Sequence, residues 1–165
     1  MGTLPASRHP RIVLLGGTFD QLHRGHRKII SSALQVGDKV VIGLVSDRFA
    51  LKRGKHHEIS SYESRRKSLE SFLSAKAELG RVEIVPLEDP YGPAVSEAEV
   101  YAIVVSRETL NNALEINRIR NSRGMAPVQV YVVDLVLAEN GKPVSTSRIR
   151  AGFIDKEGRS LKKNS

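Results

Sequence analysis

The sequence predicts an α/β fold, a doubly wound parallel sheet of five strands with helices on both faces. Three observations predict it. Short apolar runs alternate with longer amphipathic stretches along the chain, the pattern of strand-helix repeats. Within the apolar runs, apolar and polar residues do not alternate, as expected when both sheet faces are covered. The first run ends in two glycines and then a helix start, which is where a sheet of this Rossmann-like kind receives phosphates.

Each element follows from its residues. Arg11 to Leu15 reads as the first buried strand. A helix is expected from about Arg24 to Leu34, with Ile29, Ile30, Ala33 and Leu34 on one side and Gly37 as its stop. Lys39 to Val45 reads as the second strand. Ser46 to Ser61 reads as an exposed basic loop with a short helix near Phe49. Tyr62 to Leu79 carries the stripe Leu69, Phe72, Leu73 and Ala77, a long helix ended by Gly80. Val82 to Val85 is a third strand, and Asp89 to Pro93 is dense in turn formers. Tyr101 to Val105, a helix from about Arg107 to Asn121 closed by Gly124, and Val128 to Val133 complete the repeats. A polar turn at Glu139–Pro143 leads into a last short helix through Arg150.

The composition bounds the rest. A chain of 165 residues with 40% hydrophobic content suits one domain with a real core. The expected division is a flexible N-terminus over 1–10, one domain over 11–155 and a basic polar tail over 156–165. The tail carries Lys156, Arg159, Lys162 and Lys163 and is expected to fray. No apolar run approaches a membrane span, and Met1 to Pro10 lacks the apolar centre of a signal peptide. With no cysteine, a soluble cytoplasmic protein without membrane contact is the expectation. The net charge of +8 points to anionic partners. Aromatic residues are only 5% of the chain and do not interleave with the basic ones. Nucleic acid is therefore not the expected partner. No sequence feature speaks to oligomeric state.

The chemistry concentrates in Gly16-Gly17-Thr18-Phe19-Asp20 and His23-Arg24-Gly25-His26. Glycines let the backbone approach a ligand closely, and free N–H groups at a helix start bind anionic oxygens. His23 and His26, three apart, share a helix face, and a nearby triphosphate would favour their protonated forms. Gly25 leaves room for a base or phosphate. Zinc is the competing use of paired histidines, but it needs at least three protein ligands. Only His9, His56 and His57 remain, and there is no cysteine. Asp20 reads as a turn or cap residue.

These strings resemble the signature of the nucleotidyltransferase superfamily, Gly-Gly-Thr-Phe-Asp followed by His-x-Gly-His. Val144-Ser145-Thr146-Ser147-Arg148-Ile149-Arg150 is similar to its second signature, Ile-Ser-Ser-Thr-x-x-Arg, with serine and threonine interchanged. Taken alone, Ser145 or Ser147 reads as an ordinary helix N-cap. Ser46 to Phe49, Asp89 to Pro93, Val105 to Thr109 and Glu115 to Arg118 make the chain look most like the archaeal type of phosphopantetheine adenylyltransferase. The resemblance covers most of Arg11 to Asp155.

That resemblance implies adenylyl transfer from ATP to 4′-phosphopantetheine, giving dephospho-coenzyme A and pyrophosphate. It implies nucleotide contacts from Gly17, Thr18, Phe19, His23, His26, Ser145, Thr146, Ser147 and Arg148. His26 would stabilise the transition state, with His23 assisting. Thr18, Lys52 and Arg107 would hold the substrate, with Arg53 and Lys55 as rivals of Lys52. The attacking phosphomonoester has a second pKa of about 6, so no general base or covalent step is required. Catalysis would rest on positioning and charge stabilisation. Mg2+ would arrive with ATP, without a protein cage. Two alternatives stay open here: a sister cytidylyl- or adenylyltransferase, and a non-catalytic nucleotide- or RNA-binding module.

Overall fold

The computed structural model describes residues 9–54 and 59–161. Expectations placed on residues 1–8, on Lys55, His56 and His57, and on Lys162 and Lys163 lie outside the described residues. Five strands form one sheet: β1 (Ile12–Gly17), β2 (Lys39–Val45), β3 (Val82–Leu87), β4 (Val100–Ser106) and β5 (Gln129–Val133). All pairings are parallel and the order is β3-β2-β1-β4-β5. The chain steps outward from β1 to β3, then crosses back to place β4 on the other side of β1. The boundary between β1 and β4 is thus the switch point, and the glycine loop after β1 opens there.

Among the described residues, five α-helices accompany the strands: α1 (Arg24–Val36), α2 (Asp47–Lys52), α3 (Tyr62–Ala75), α4 (Leu110–Ser122) and α5 (Thr146–Arg150). On one sheet face Val13, Leu15, Val40, Ile42 and Leu44 pack with Ile30, Ala33 and Leu34 of α1 and with Leu69 and Leu73 of α3. On the other face Leu14, Ile103 and Val105 pack with Ala113 and Ile116 of α4. Alternate residues of β1 therefore serve opposite cores, which is why its sequence is apolar throughout. Each large aliphatic side chain buried this way contributes about 1.5–3 kcal/mol. Among the described residues, no helix is long and apolar enough to cross a membrane.

Four local details differ from the sequence expectation. First, α3 ends at Ala75, before Gly80. Ala77 takes a left-handed φ of 56°, and the Glu78 N–H donates back to the Leu73 carbonyl at 2.9 Å. Second, β3 continues through Pro86 to Leu87. It is an edge strand, where a missing N–H is tolerated. Third, α4 starts at Leu110 because Ser106 to Thr109 closes a turn, with the Ser106 N–H donating to Thr109 Oγ1 at 3.1 Å.

The fourth concerns the tail. Residues 156–161 do not fray. The Arg24 N–H donates to the Lys156 carbonyl at 2.9 Å, and the Leu161 N–H donates to Phe153 at 3.0 Å. Ile154 and Ser160 form an antiparallel bridge. Arg27 pairs with Glu157. Ile154, Ala138 and Val144 form a small core of their own, with Val136 and Ile149 against it. This segment ties the stretch after α5 to the start of α1.

Candidate active site

Beyond β1 the chain turns through two left-handed residues, Phe19 at φ 50° and Gln21 at φ 60°. Such conformations cost free energy in non-glycine residues and persist where surrounding contacts enforce them. Here the Phe19 ring is buried in the core and meets the His26 ring edge-on, centroids 5.3 Å apart. His23 then caps α1. Its Nδ1 accepts from the Gly25 N–H at 3.1 Å and from the His26 N–H at 3.4 Å. His26 Nδ1 accepts from the His23 N–H at 3.3 Å. This is a reciprocal capping box built from two histidines. The two rings stack at 3.6 Å with an interplanar angle of 18°.

Gly25 is required by this packing. A Cβ there would lie 3.0 Å from His23 Cε1 and 3.1 Å from Nδ1. The missing Cβ leaves room for the His23 ring to cap the helix.

The box fixes the protonation of both rings. Each Nδ1 accepts, so each proton sits on Nε2. Burial, and then the nearby Arg27 charge, push His23 from 6.5 down to about 4. Burial, then His23, then Arg27 push His26 from 6.5 to about 3. At neutral pH the protein therefore presents two neutral Nε2–H donors. Desolvation favours the neutral rings, whereas a nearby triphosphate would act in the opposite direction. Neither ring keeps a free lone pair for proton abstraction or nucleophilic attack.

The second motif meets the first at Asp20, which is 3% exposed. Thr146 Oγ1 donates to the Asp20 carbonyl at 3.0 Å. Arg150 Nε donates to Asp20 Oδ2 at 3.1 Å, and Arg150 Nη2 donates to the same oxygen. Ser145 caps α5 by accepting from the Arg148 N–H at 3.4 Å. Arg148 Nη1 donates to the Pro143 carbonyl at 3.0 Å. Ser147 is exposed in the first turn of α5. The structure thus brings Gly17, Thr18, Phe19, His23, His26 and Ser145 to Arg148 to one edge of the sheet. The hydroxyls of Ser145 and Thr146 are already engaged in holding that arrangement.

Lys52 and Arg107 sit elsewhere along the same edge. Lys52 is exposed in the last turn of α2, the helix that follows β2. Arg107 follows β4 and faces Asp134 at 3.6 Å, both well exposed. Arg53 lies with its guanidinium 5.5 Å from the Phe49 ring centre.

Two residues outside the expected set hold the loop. Asp20 is a buried joint rather than a simple turn residue. Besides Arg150, it accepts from the Ser60 N–H at 3.2 Å. Arg65 of α3 is 2% exposed. It donates to the carbonyls of Thr18 at 3.0 Å, Val45 at 2.8 Å and Ser60 at 2.8 Å, and to Asp47 Oδ1 at 3.0 Å. A signal for it was in the sequence. Arg65 lies four and eight residues before Leu69 and Leu73, so it shares their buried face.

Comparison with known proteins is consistent across three kinds of evidence. The family model described as Cytidylyltransferase-like matches residues 14–152. The phosphopantetheine adenylyltransferase of Methanopyrus kandleri is 46% identical over 145 residues, covering 88% of this chain and 91% of that protein. That of Methanothermobacter thermautotrophicus is 43% identical, covering 92% and 90%. Among solved structures, a protein of unknown function from Archaeoglobus fulgidus superposes with a TM-score of 0.67 at 33% identity, covering 74% of this chain and 88% of that one. A bifunctional NMN adenylyltransferase/ADP ribose pyrophosphatase from Francisella tularensis shares the fold, with a TM-score of 0.61 at 22% identity over 88% of this chain and 42% of that one. Two joined signatures and relatives matched over nearly their whole length agree, and the chain belongs to the phosphopantetheine adenylyltransferase family.

Proposed function

We propose that this protein transfers the adenylyl group of ATP to 4′-phosphopantetheine, giving dephospho-coenzyme A and pyrophosphate. The observation that carries the chemistry is the histidine capping box joined through Asp20 to α5. The acceptor is supported by the relatives' shared activity. The phosphomonoester attacks the α-phosphorus in line, a P–O bond forms, and the bond to pyrophosphate breaks. The nucleophile is already largely dianionic at neutral pH, so it needs no base. The histidines offer none: both Nδ1 atoms are committed to backbone N–H groups.

The work left to the protein is positioning and charge stabilisation. His26 Nε2–H serves the developing charge on the transferred phosphoryl group. His23 supports it by stacking and capping, and contacts the triphosphate. Gly17, Thr18 and Phe19 supply the backbone of the cradle. Ser147 and Arg148 lie on the nucleotide side, while Lys52 and Arg107 serve the acceptor. Mg2+ enters as part of the ATP substrate. This fits the donor set, since the Asp20 carboxylate is taken by Ser60 and Arg150.

A nucleotide-by-acceptor matrix with product identification tests the assignment. ATP with 4′-phosphopantetheine is expected to give dephospho-coenzyme A. Turnover with CTP and not ATP would remove the adenylyl assignment, and turnover only with another phosphorylated acceptor would remove phosphopantetheine.

A further inference from the structure

We infer that Arg65 is a positioning residue for the reaction: through Ser60 and Asp20 it sets the phosphate loop in register between α2 and α5. It touches neither substrate, and this role rests on the adenylyl-transfer function proposed above.

The bonds form one continuous path. Asp47, the first residue of α2, accepts from Arg65 Nη2 and from the Tyr62 N–H at 2.8 Å. Arg65 Nη1 donates to Thr18 in the loop and Val45 at the end of β2. Its Nε donates to the Ser60 carbonyl. Ser60 passes the connection on through its N–H to Asp20 Oδ1. Asp20 then holds Arg150 through its carboxylate and Thr146 through its carbonyl. One planar guanidinium thereby fixes the end of β2, the loop after β1 and the entry to α3. Its effect reaches α2, which carries Lys52, and α5, which carries Ser147 and Arg148.

The geometry suits positioning. Arg65 pulls the Thr18 carbonyl inward. In a planar trans peptide the next N–H points the opposite way, so the Phe19 N–H is directed away from Arg65. Asp20's carbonyl, held by Thr146, orients the Gln21 N–H likewise. The left-handed φ values at Phe19 and Gln21 alternate with these two pinned carbonyls. A lysine at 65 keeps the charge but loses the rigid fork, and its single ammonium cannot serve acceptors on this many sides.

The molecule supplies its own control. Arg120 of α4 is 1% exposed and also donates to carbonyls, yet none belongs to the site. The experiment compares Arg65→Lys with Arg120→Lys by steady-state kinetics, ATP calorimetry and thermal melting. Both variants are expected to melt earlier. Arg65→Lys is expected to lose about 30-fold in kcat, since small misplacements cost up to about 10²-fold, and several-fold in ATP affinity. Arg120→Lys is expected to stay within about twofold in both.

An Arg65→Lys enzyme with wild-type kcat and ATP affinity overturns the inference. So does an equal kinetic loss in Arg120→Lys. If Arg65→Lys does not fold, Asp47→Ala decides, because Asp47 is a 58% exposed carboxylate whose removal leaves the core intact. A several-fold fall in its kcat supports the relay, and an unchanged kcat overturns it. If the wild type makes no dephospho-coenzyme A, the proposed function fails by itself. ATP affinity still decides the role of Arg65 in that case.

Discussion

Two buried arginines make an instructive pair. Arg120 gathers carbonyls from one neighbourhood: Ala94, Glu97 and Ala126 accept its hydrogen bonds at 2.8 Å each. It ties the turn before β4 to the end of α4. Arg65 gathers carbonyls from the loop after β1, the end of β2 and the entry to α3. Both satisfy backbone acceptors that burial would otherwise leave unpaired. One closes a scaffold, and the other sits where three segments converge on the candidate site. The difference teaches that a buried cation's role is read from which segments it joins, not from its burial.

The sharpest way to test the active half is at the histidines. His26→Ala removes the Nε2–H donor and one half of the capping box. Turnover is expected to fall about 10²–10³-fold, as for loss of a transition-state donor, with ATP binding largely kept. Pyrophosphate release measures it. Equal turnover in the two proteins would contradict the role of His26.

The scaffold half is tested by Arg120→Met, which leaves several carbonyls buried without a donor. A stability loss of roughly 2–4 kcal/mol is expected, read by urea unfolding, with kcat/KM unchanged. A kinetic loss as large as that of Arg65→Lys would erase the contrast between the two regions.

A pH series sharpens the same contrast. The histidines are held below their ordinary 6.5, at about 4 and about 3. As pH falls through 6.5 the unfolded chain takes up protons that the folded site refuses. The contribution of this pair to stability therefore declines from near pH 6.5, and that decline levels off near pH 3. His23→Asn keeps a capping side chain and removes one titration, so its melting temperature should fall less steeply over that window. Identical slopes would contradict the neutral, desolvated pair.

The smallest effect is expected at Thr146→Val, which deletes the hydroxyl bond to the Asp20 carbonyl. One neutral hydrogen bond contributes about 1 kcal/mol. A several-fold rise in KM for ATP with little change in kcat is expected from steady-state kinetics.

The inner strands were legible because both faces are covered: Lys39 to Val45 reads as a strand and is one, residue for residue. The helix start at Arg24 and the stop at Gly37 were legible from glycine and the apolar stripe. Boundaries set by local hydrogen bonding were not. The helix expected to run to Gly80 ends earlier, before the left-handed Ala77, since its neighbours' backbone bonds decide the matter. The tail beyond Asp155 reads as polar and basic. Its order comes from backbone bonds to Arg24 and Glu139 across the fold, which carry no sequence signature. In the site, the histidines and serines announce themselves by spacing. Their protonation does not, because it depends on which backbone N–H groups each Nδ1 meets. Asp20 and Arg65 act through partners 130 and 47 residues away, a reach no local motif encodes.

Rapid-quench transfer from α-labelled ATP tests the central claim most directly. On the proposed reading, both Nδ1 atoms cap backbone N–H groups and both Nε2 atoms carry protons, so neither histidine takes the adenylyl group. Label is expected to pass from ATP to dephospho-coenzyme A in a single step, with none retained on the protein at any time. Label trapped on the protein, or no label in dephospho-coenzyme A, would contradict it.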